Sequence, residues 1–173
     1  TFIIRFFMDS LIFFGSLRSK KLLKIVIGSD LNNLKLFNGS IHKAKLYKVK
    51  NENFPYLEQT NSNKDIVKCT YITGLSKENF AKILFYESIE YKISKIMISI
   101  NEKNIKTHFF ELIKKNKTLE LWIYERWKTS FEKMSCIAAK EWMLLFDKYK
   151  NNPKKAEVYW QAMLTNAKIQ INK

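Results

Sequence analysis

The sequence is poor in the residues that punctuate turn-rich architectures: 173 residues contain four glycines and two prolines. That excludes collagen-like and repetitive turn-built folds. Cysteine and histidine are equally scarce, with Cys69, Cys136, His42 and His108 scattered and no CxxC pair. A structural zinc site needs four ligands in paired spacing, so none is expected, and no other metal or cofactor is called for. Two isolated thiols fit a reducing, cytoplasmic compartment. Long apolar runs are missing as well. Residues 1–14 are apolar but interrupted by Arg5 and Asp9. They are too short to span a bilayer, and no small-residue cleavage site follows. Met8 fits a natural start, and no membrane association is expected.

Acidic residues are few beside basic ones, 16 against 31, which leaves a formal net charge of +15. Such an excess can signal nucleic acid as a partner. The distribution argues against it. Lysines are spread along the chain in short pairs such as Lys20 with Lys21, Lys114 with Lys115 and Lys154 with Lys155. There is no Arg-rich block and no aromatic–basic signature of an RNA-binding sheet. Asn and Ile, encoded like Lys by A/T-rich codons, are abundant too, so the charge reads as compositional.

What is present is enough apolar material for a core: 46% of residues are hydrophobic and 14% aromatic, which excludes wholesale disorder. Residues 11–14 read as a buried strand running into a Gly15-Ser16 turn. Leu22, Leu23, Val26 and Ile27 then recur at helical spacing, with Gly28 as a stop and Ser16 or Ser19 as a cap. Residues 40–50 alternate as a strand. Pro55 marks 54–57 as an edge or turn element. Residues 66–73 and 91–100 read as strands, and Ser76 caps a helix whose body is 79–85. From about His108 the chain reads as helical. Ile123, Trp127, Phe131, Met134, Ala138, Trp142 and Leu145 form one stripe. Asn151-Asn152-Pro153 breaks it, and Ala156, Trp160, Met163 and Ala167 form a second. The fold class expected is α+β. An α+β unit over 8–105 is followed by a helical extension over 106–173.

GxGxxG, P-loop, GxSxG, HExxH and EF-hand patterns are all absent. The chemically interesting element is the strand–turn–helix at Gly15-Ser16. Free N–H groups at such a turn, together with the helix dipole, suit a carboxylate or phosphate, and Gly15 permits close backbone approach. On its own this is an ordinary turn.

Phe13-Phe14-Gly15-Ser16-Leu17-Arg18, with Leu22-Leu23 and Val26-Ile27-Gly28 behind it, resembles the opening of γ-glutamylcyclotransferase-like (AIG2-like) domains, which carry a Tyr-Gly-Ser/Thr-Leu loop before a helix. Ala44-Lys45-Leu46-Tyr47-Lys48-Val49 resembles that family's Gly-Tyr-x-Leu-Tyr strand. Phe54-Pro55-Tyr56-Leu57 resembles its Tyr-Pro-Ala-Leu element. Thr73-Gly74-Leu75-Ser76 sits where the family enters a short helix. Glu87-Ser88-Ile89-Glu90-Tyr91 resembles its Glu-Gly-x-x-Tyr segment. The resemblance covers residues 8–100 and rests on order and spacing together.

It implies a small mixed β-barrel with packed helices, followed here by the C-terminal helical extension. The implied reaction is cyclisation of a γ-glutamyl amine or peptide, a small molecule, to 5-oxoproline with release of the amine. Glu87 matches the catalytic carboxylate, with Ile83, Phe85 and Ile89 its apolar neighbours in sequence. The backbone of Phe14, Gly15, Ser16 and Leu17 would hold the substrate α-carboxylate. Tyr91 is either a core aromatic or a pocket-lining hydroxyl, Glu90 is the rival carboxylate, and Arg18 reads as a surface or helix-start residue. Phe14 lacks the hydroxyl of the family's loop tyrosine, Leu84 stands where many members have Asp, and Ser88 where most have Gly. These departures keep open a non-catalytic small-molecule-binding protein of the same fold, and the charge keeps open a basic nucleic-acid-binding protein.

Overall fold

The computed structural model describes residues 8–29, 31–87, 91–113 and 116–172. Strand β1 (Ser10–Phe13) ends at Gly15, and a single 3-10 turn (Ser16–Arg18) leads into helix α1 (Lys20–Ile27). Ser19 caps α1 by accepting a hydrogen bond from the Leu22 N–H at 3.2 Å. Gly28 ends the helix in the left-handed region, φ 74°, which glycine occupies without steric cost. Leu22, Leu23, Val26 and Ile27 are fully buried, so the apolar stripe read from sequence is the face that packs inward.

Strands β2 (Lys35–His42), β3 (Ala44–Val49), β4 (Pro55–Gln59) and β5 (Ile66–Thr73) follow. Helix α2 (Lys77–Glu87) begins where Ser76 accepts from the Asn79 N–H at 3.1 Å. Strands β6 (Tyr91–Ile100), β7 (Lys103–Leu112) and β8 (Lys117–Leu121) complete the sheets. Helices α3 (Tyr124–Met143), α4 (Phe146–Tyr149) and α5 (Trp160–Ile171) close the chain. Among the described residues no helix is long and apolar enough to cross a membrane.

The class is α+β, as expected. The strands form a five-stranded sheet, β1-β5-β2-β6-β7, and a three-stranded sheet, β4-β3-β8. The barrel implied by the resemblance is not closed, and every pairing among the described strands is antiparallel rather than mixed. β4 is an edge strand, which suits its Pro55.

Two expectations are corrected. The strand read over 40–50 is two strands in different sheets, because Lys43 at φ 55° turns a corner between them. The stretch from 106 is not helical throughout: β7 crosses the expected 105/106 boundary, β8 pairs with β3, and helix begins at Tyr124. β6 and β7 form a continuous hairpin from Tyr91↔Leu112 to Ile100↔Lys103. Its two turn residues, Asn101 and Glu102, both have positive φ, 47° and 65°. This is the primed turn that matches strand twist, made here without the glycine that usually announces it.

The main core joins Leu11, Ile12, Leu23, Ile72, Phe80, Ile83 and Ile98. α3 lies on this core through Trp127 and Cys136. A second cluster gathers Phe85, Trp142, Phe146 and Ala156. Trp127 and Trp142 are each 3% exposed, and Trp160, half-buried, meets Trp142 edge-on at 5.4 Å between ring centroids. The tryptophan stripes are therefore packing faces, as their spacing predicts.

Candidate functional site

Gly15, the 3-10 turn and Ser19 form a loop whose hydrogen bonding is partly committed. The Arg18 N–H donates to the Gly15 carbonyl at 3.1 Å, and the Ser19 N–H to the Ser16 carbonyl at 3.0 Å. The N–H groups of Ser16 and Leu17 have no backbone acceptor among the described residues. Both residues line one small cavity. Two uncommitted donors there make an anion-receiving edge.

That cavity is walled by Ile12, Phe13 and Phe14 of β1 and its end, by Phe54 and Pro55, and by Tyr91 and Phe110. Glu87, the last residue of α2, faces the same space. Glu87, Phe14, Gly15, Ser16, Leu17 and Tyr91, the six residues singled out from sequence, thus come together at one site. Glu90, Ser88 and Ile89 lie outside the described residues. The open space accessible to solvent is about 50 Å³, room for roughly three to five waters.

Glu87 is half-buried, and burial pushes its carboxyl up from 4.5 to about 8. The partial negative charge at the C-terminal end of α2 acts in the same direction. The apolar setting differs from the one expected. Neither Ile83 nor Phe85 lines the cavity. Ile83 belongs to the main core, and the Phe85 ring stacks on Trp142 with centroids 5.1 Å apart. The last residue of a helix projects past its own neighbours, so Phe54, Pro55 and Phe110, distant in sequence, and Tyr91, at the start of the next strand, supply the apolar walls instead.

Gly15, Leu17 and Phe14 are held from behind. A Cβ added at Gly15 would lie 3.2 Å from both Cγ and Cδ of Pro55. Leu17 is 2% exposed, sunk in the core. Phe14 keeps its ring against Phe109, with centroids 5.8 Å apart. Tyr86, which sequence reasoning passed over, stands beside Ser16 and Glu87, and burial first, then the Glu87 charge, raises its hydroxyl above the ordinary tyrosine range. The signal available was only its place beside Glu87. Arg18 points away from the cavity and lays its guanidinium over the Tyr124 ring, 4.2 Å from the centroid. Among the described residues no group of three or more His, Cys, Asp and Glu could hold a metal ion.

The arrangement is a single protonatable carboxylate that shares a small cavity with two backbone donors. Comparison with solved structures gives the architecture a parallel. Two Arabidopsis thaliana proteins solved in solution align with TM-scores of 0.55 each. One is 14% identical over 70% of this chain and 80% of its own, the other 16% identical over 83% and 86%. A structure described as a γ-glutamyl cyclotransferase aligns with a TM-score of 0.52, at 12% identity, over 84% of this chain and 86% of its own.

The chain has a γ-glutamyl cyclotransferase-like fold.

No protein-family model and no curated protein matches the sequence. Within the γ-glutamyl cyclotransferase-like fold, the site lies where β1 hands over to α1 and where α2 ends, so both halves are fixed by regular elements rather than by long loops.

Proposed function

We propose that this protein is a cytoplasmic enzyme of the γ-glutamyl cyclotransferase type, converting a γ-glutamyl amine or peptide to 5-oxoproline and the free amine. The observation that carries the proposal is the pairing of Glu87 with the Ser16 and Leu17 N–H groups across one cavity. The substrate α-carboxylate sits on those donors. The flexible glutamyl chain is then held folded, which brings its α-amino group toward its own γ-carbonyl and makes the attack intramolecular.

Glu87 moves the protons. Its carboxylate takes a proton from the α-ammonium, which frees the lone pair that bonds to the γ-carbonyl carbon, and gives that proton to the departing nitrogen as the old C–N bond breaks; the second proton shed by the α-nitrogen follows the same route, so the amine leaves as an ammonium. In the free protein the carboxyl is mostly protonated at neutral pH, because it is pushed up to about 8. A cationic α-ammonium beside it favours the ionised form, so substrate binding itself prepares the base. A pKa near the working pH is what a group serving as base and then acid requires. Tyr91 lines the cavity beside Phe54.

The test is release of 5-oxoproline from a panel of γ-glutamyl amines and dipeptides. Ligand-induced thermal stabilisation without turnover would select a binding protein of the same fold. Steeply salt-dependent binding to DNA or RNA without either would select a nucleic-acid binder.

A further inference from the structure

The loop and Glu87 come from different elements, and the reaction read above needs a fixed distance between them. One helix touches both. At its N-terminal end, α3 places Tyr124 under the Arg18 guanidinium, 4.2 Å from ring centroid to cation. Two turns on, Glu132 accepts a hydrogen bond of 2.5 Å from the Ser19 hydroxyl. Near its C-terminal end, Trp142 donates its indole N–H to the Phe85 carbonyl at 3.3 Å and stacks on the Phe85 ring, two residues before Glu87. These contacts are sequence-distant, 113 positions apart for Glu132 and Ser19 and 57 for Trp142 and Phe85.

The Glu132 contact is the more informative. Ser19 is 3% exposed, and its hydroxyl oxygen already accepts from the Leu22 N–H to cap α1. Its proton goes to Glu132. The bond is short and charge-assisted, the stronger kind. It fixes the residue at which the loop becomes helix, and the Ser19 N–H, bonded to the Ser16 carbonyl, transmits that position to the anion-receiving edge. A surface helix needs only an apolar stripe to stay attached. A buried hydroxyl directed at a carboxylate on that helix is a specific register contact.

We propose that α3 is a positioning helix for the site. Glu132 is a positioning residue that holds the loop at Ser19, and Trp142 holds the end of α2 that carries Glu87. This gives the helical C-terminal part of the chain a role in the chemistry without any atom in the cavity. The proposal rests on the proposed function only for its kinetic consequence; the structural consequence stands alone.

The experiment compares Glu132→Ala and Glu132→Gln with wild type by amide hydrogen exchange and by steady-state kinetics. Gln retains an oxygen acceptor for Ser19, whereas Ala leaves the buried hydroxyl without one. Expected for Glu132→Ala is exchange at least about tenfold faster at the Arg18 and Ser19 amides, with the β6–β7 amides unchanged as an internal reference. Expected with it is a KM for γ-glutamyl substrate raised about tenfold and kcat lowered less, because the displaced loop receives the α-carboxylate. Glu132→Gln should restore both toward wild type. If the Arg18 and Ser19 amides exchange as in wild type, or no faster than the β6–β7 amides, the clamp does not exist, whatever the activity. Faster loop exchange with unchanged KM and kcat overturns the positioning role while leaving the proposed reaction standing. If wild type releases no 5-oxoproline, the proposed function fails, and 5-oxoproline binding weakened about tenfold in Glu132→Ala but not in Glu132→Gln decides the positioning claim; unweakened binding overturns it.

Discussion

Replacing Glu87 with Gln should weaken catalysis and strengthen the fold, and the second effect should appear only above a definite pH. The carboxyl is held at about 8 in the folded protein against an ordinary 4.5. Between those values the folded state keeps a proton that the unfolded chain has released, so stability falls as pH rises through the window and the full cost is present above about 8. A shift of that size corresponds to at most about 5 kcal/mol. Glu87 opens onto a solvent-reaching cavity, and water entering there on ionisation cuts the figure; we take about 1–3 kcal/mol. For a chain of this size that is a rise in Tm of roughly 3–10 °C for Glu87→Gln at pH 9. At pH 4.5 the two proteins should melt together, because wild type is then protonated and nearly isosteric with the variant. Melting curves from pH 4.5 to 9 measure this directly. Over the same range kcat/KM of wild type should climb toward a plateau above about pH 8, and Glu87→Gln should lose about 10²- to 10⁴-fold in kcat. A Tm difference that is the same at pH 4.5 and pH 9 would refute the burial argument. A variant that turns over like wild type would refute the catalytic one.

Gly15→Ala should raise KM on the order of tenfold, because its Cβ meets the Pro55 ring at 3.2 Å and the loop must shift by a few tenths of an ångström; initial-rate kinetics read this, and an unchanged KM counts against the loop as the carboxylate site. Trp142→Ala should cost about 3–5 kcal/mol in urea unfolding, since the ring is 3% exposed and stacks on Phe85, whereas Trp142→Phe, losing chiefly the indole donor, should cost about 1 kcal/mol.

Much of this architecture was legible because local signals agreed with one another. β5 was readable from a run of β-branched residues, and α1 from its stripe between Ser19 and Gly28. Glu87 and the loop were legible as a pattern of order and spacing, although neither is a motif by itself. Three things were hidden, each for a physical reason. β7 carries Lys103, Lys106 and Glu111 between its apolar residues, and its turn, Asn101-Glu102, lacks the glycine that usually marks a primed hairpin. The corner at Lys43 is one left-handed residue inside an unbroken alternation. The cavity walls are products of tertiary pairing: Phe54, Pro55 and Phe110 meet Glu87 only because β4, β7 and the end of α2 converge. No local periodicity encodes that meeting.

The loop's Phe14 puts the economy of the site in focus. The loop resembles one that carries tyrosine, and here the hydroxyl is gone while the ring remains, packed on Phe109. A phenol is nevertheless present one element away, since Tyr86 lies at the end of α2, next to Glu87. It restores no donor to the cavity, which Tyr86 does not line. An intramolecular cyclisation asks for little beyond a folded substrate and one group that can exchange protons near neutral pH. In the proposed reaction the buried Glu87 carboxylate would meet the second need. For the first, the proposed reaction would use two backbone N–H groups on a loop gripped at Gly15, Leu17, Arg18 and Ser19, by Pro55, the core, Tyr124 and Glu132 in turn. Rigidity, rather than an extra functional group, is the resource this site relies on.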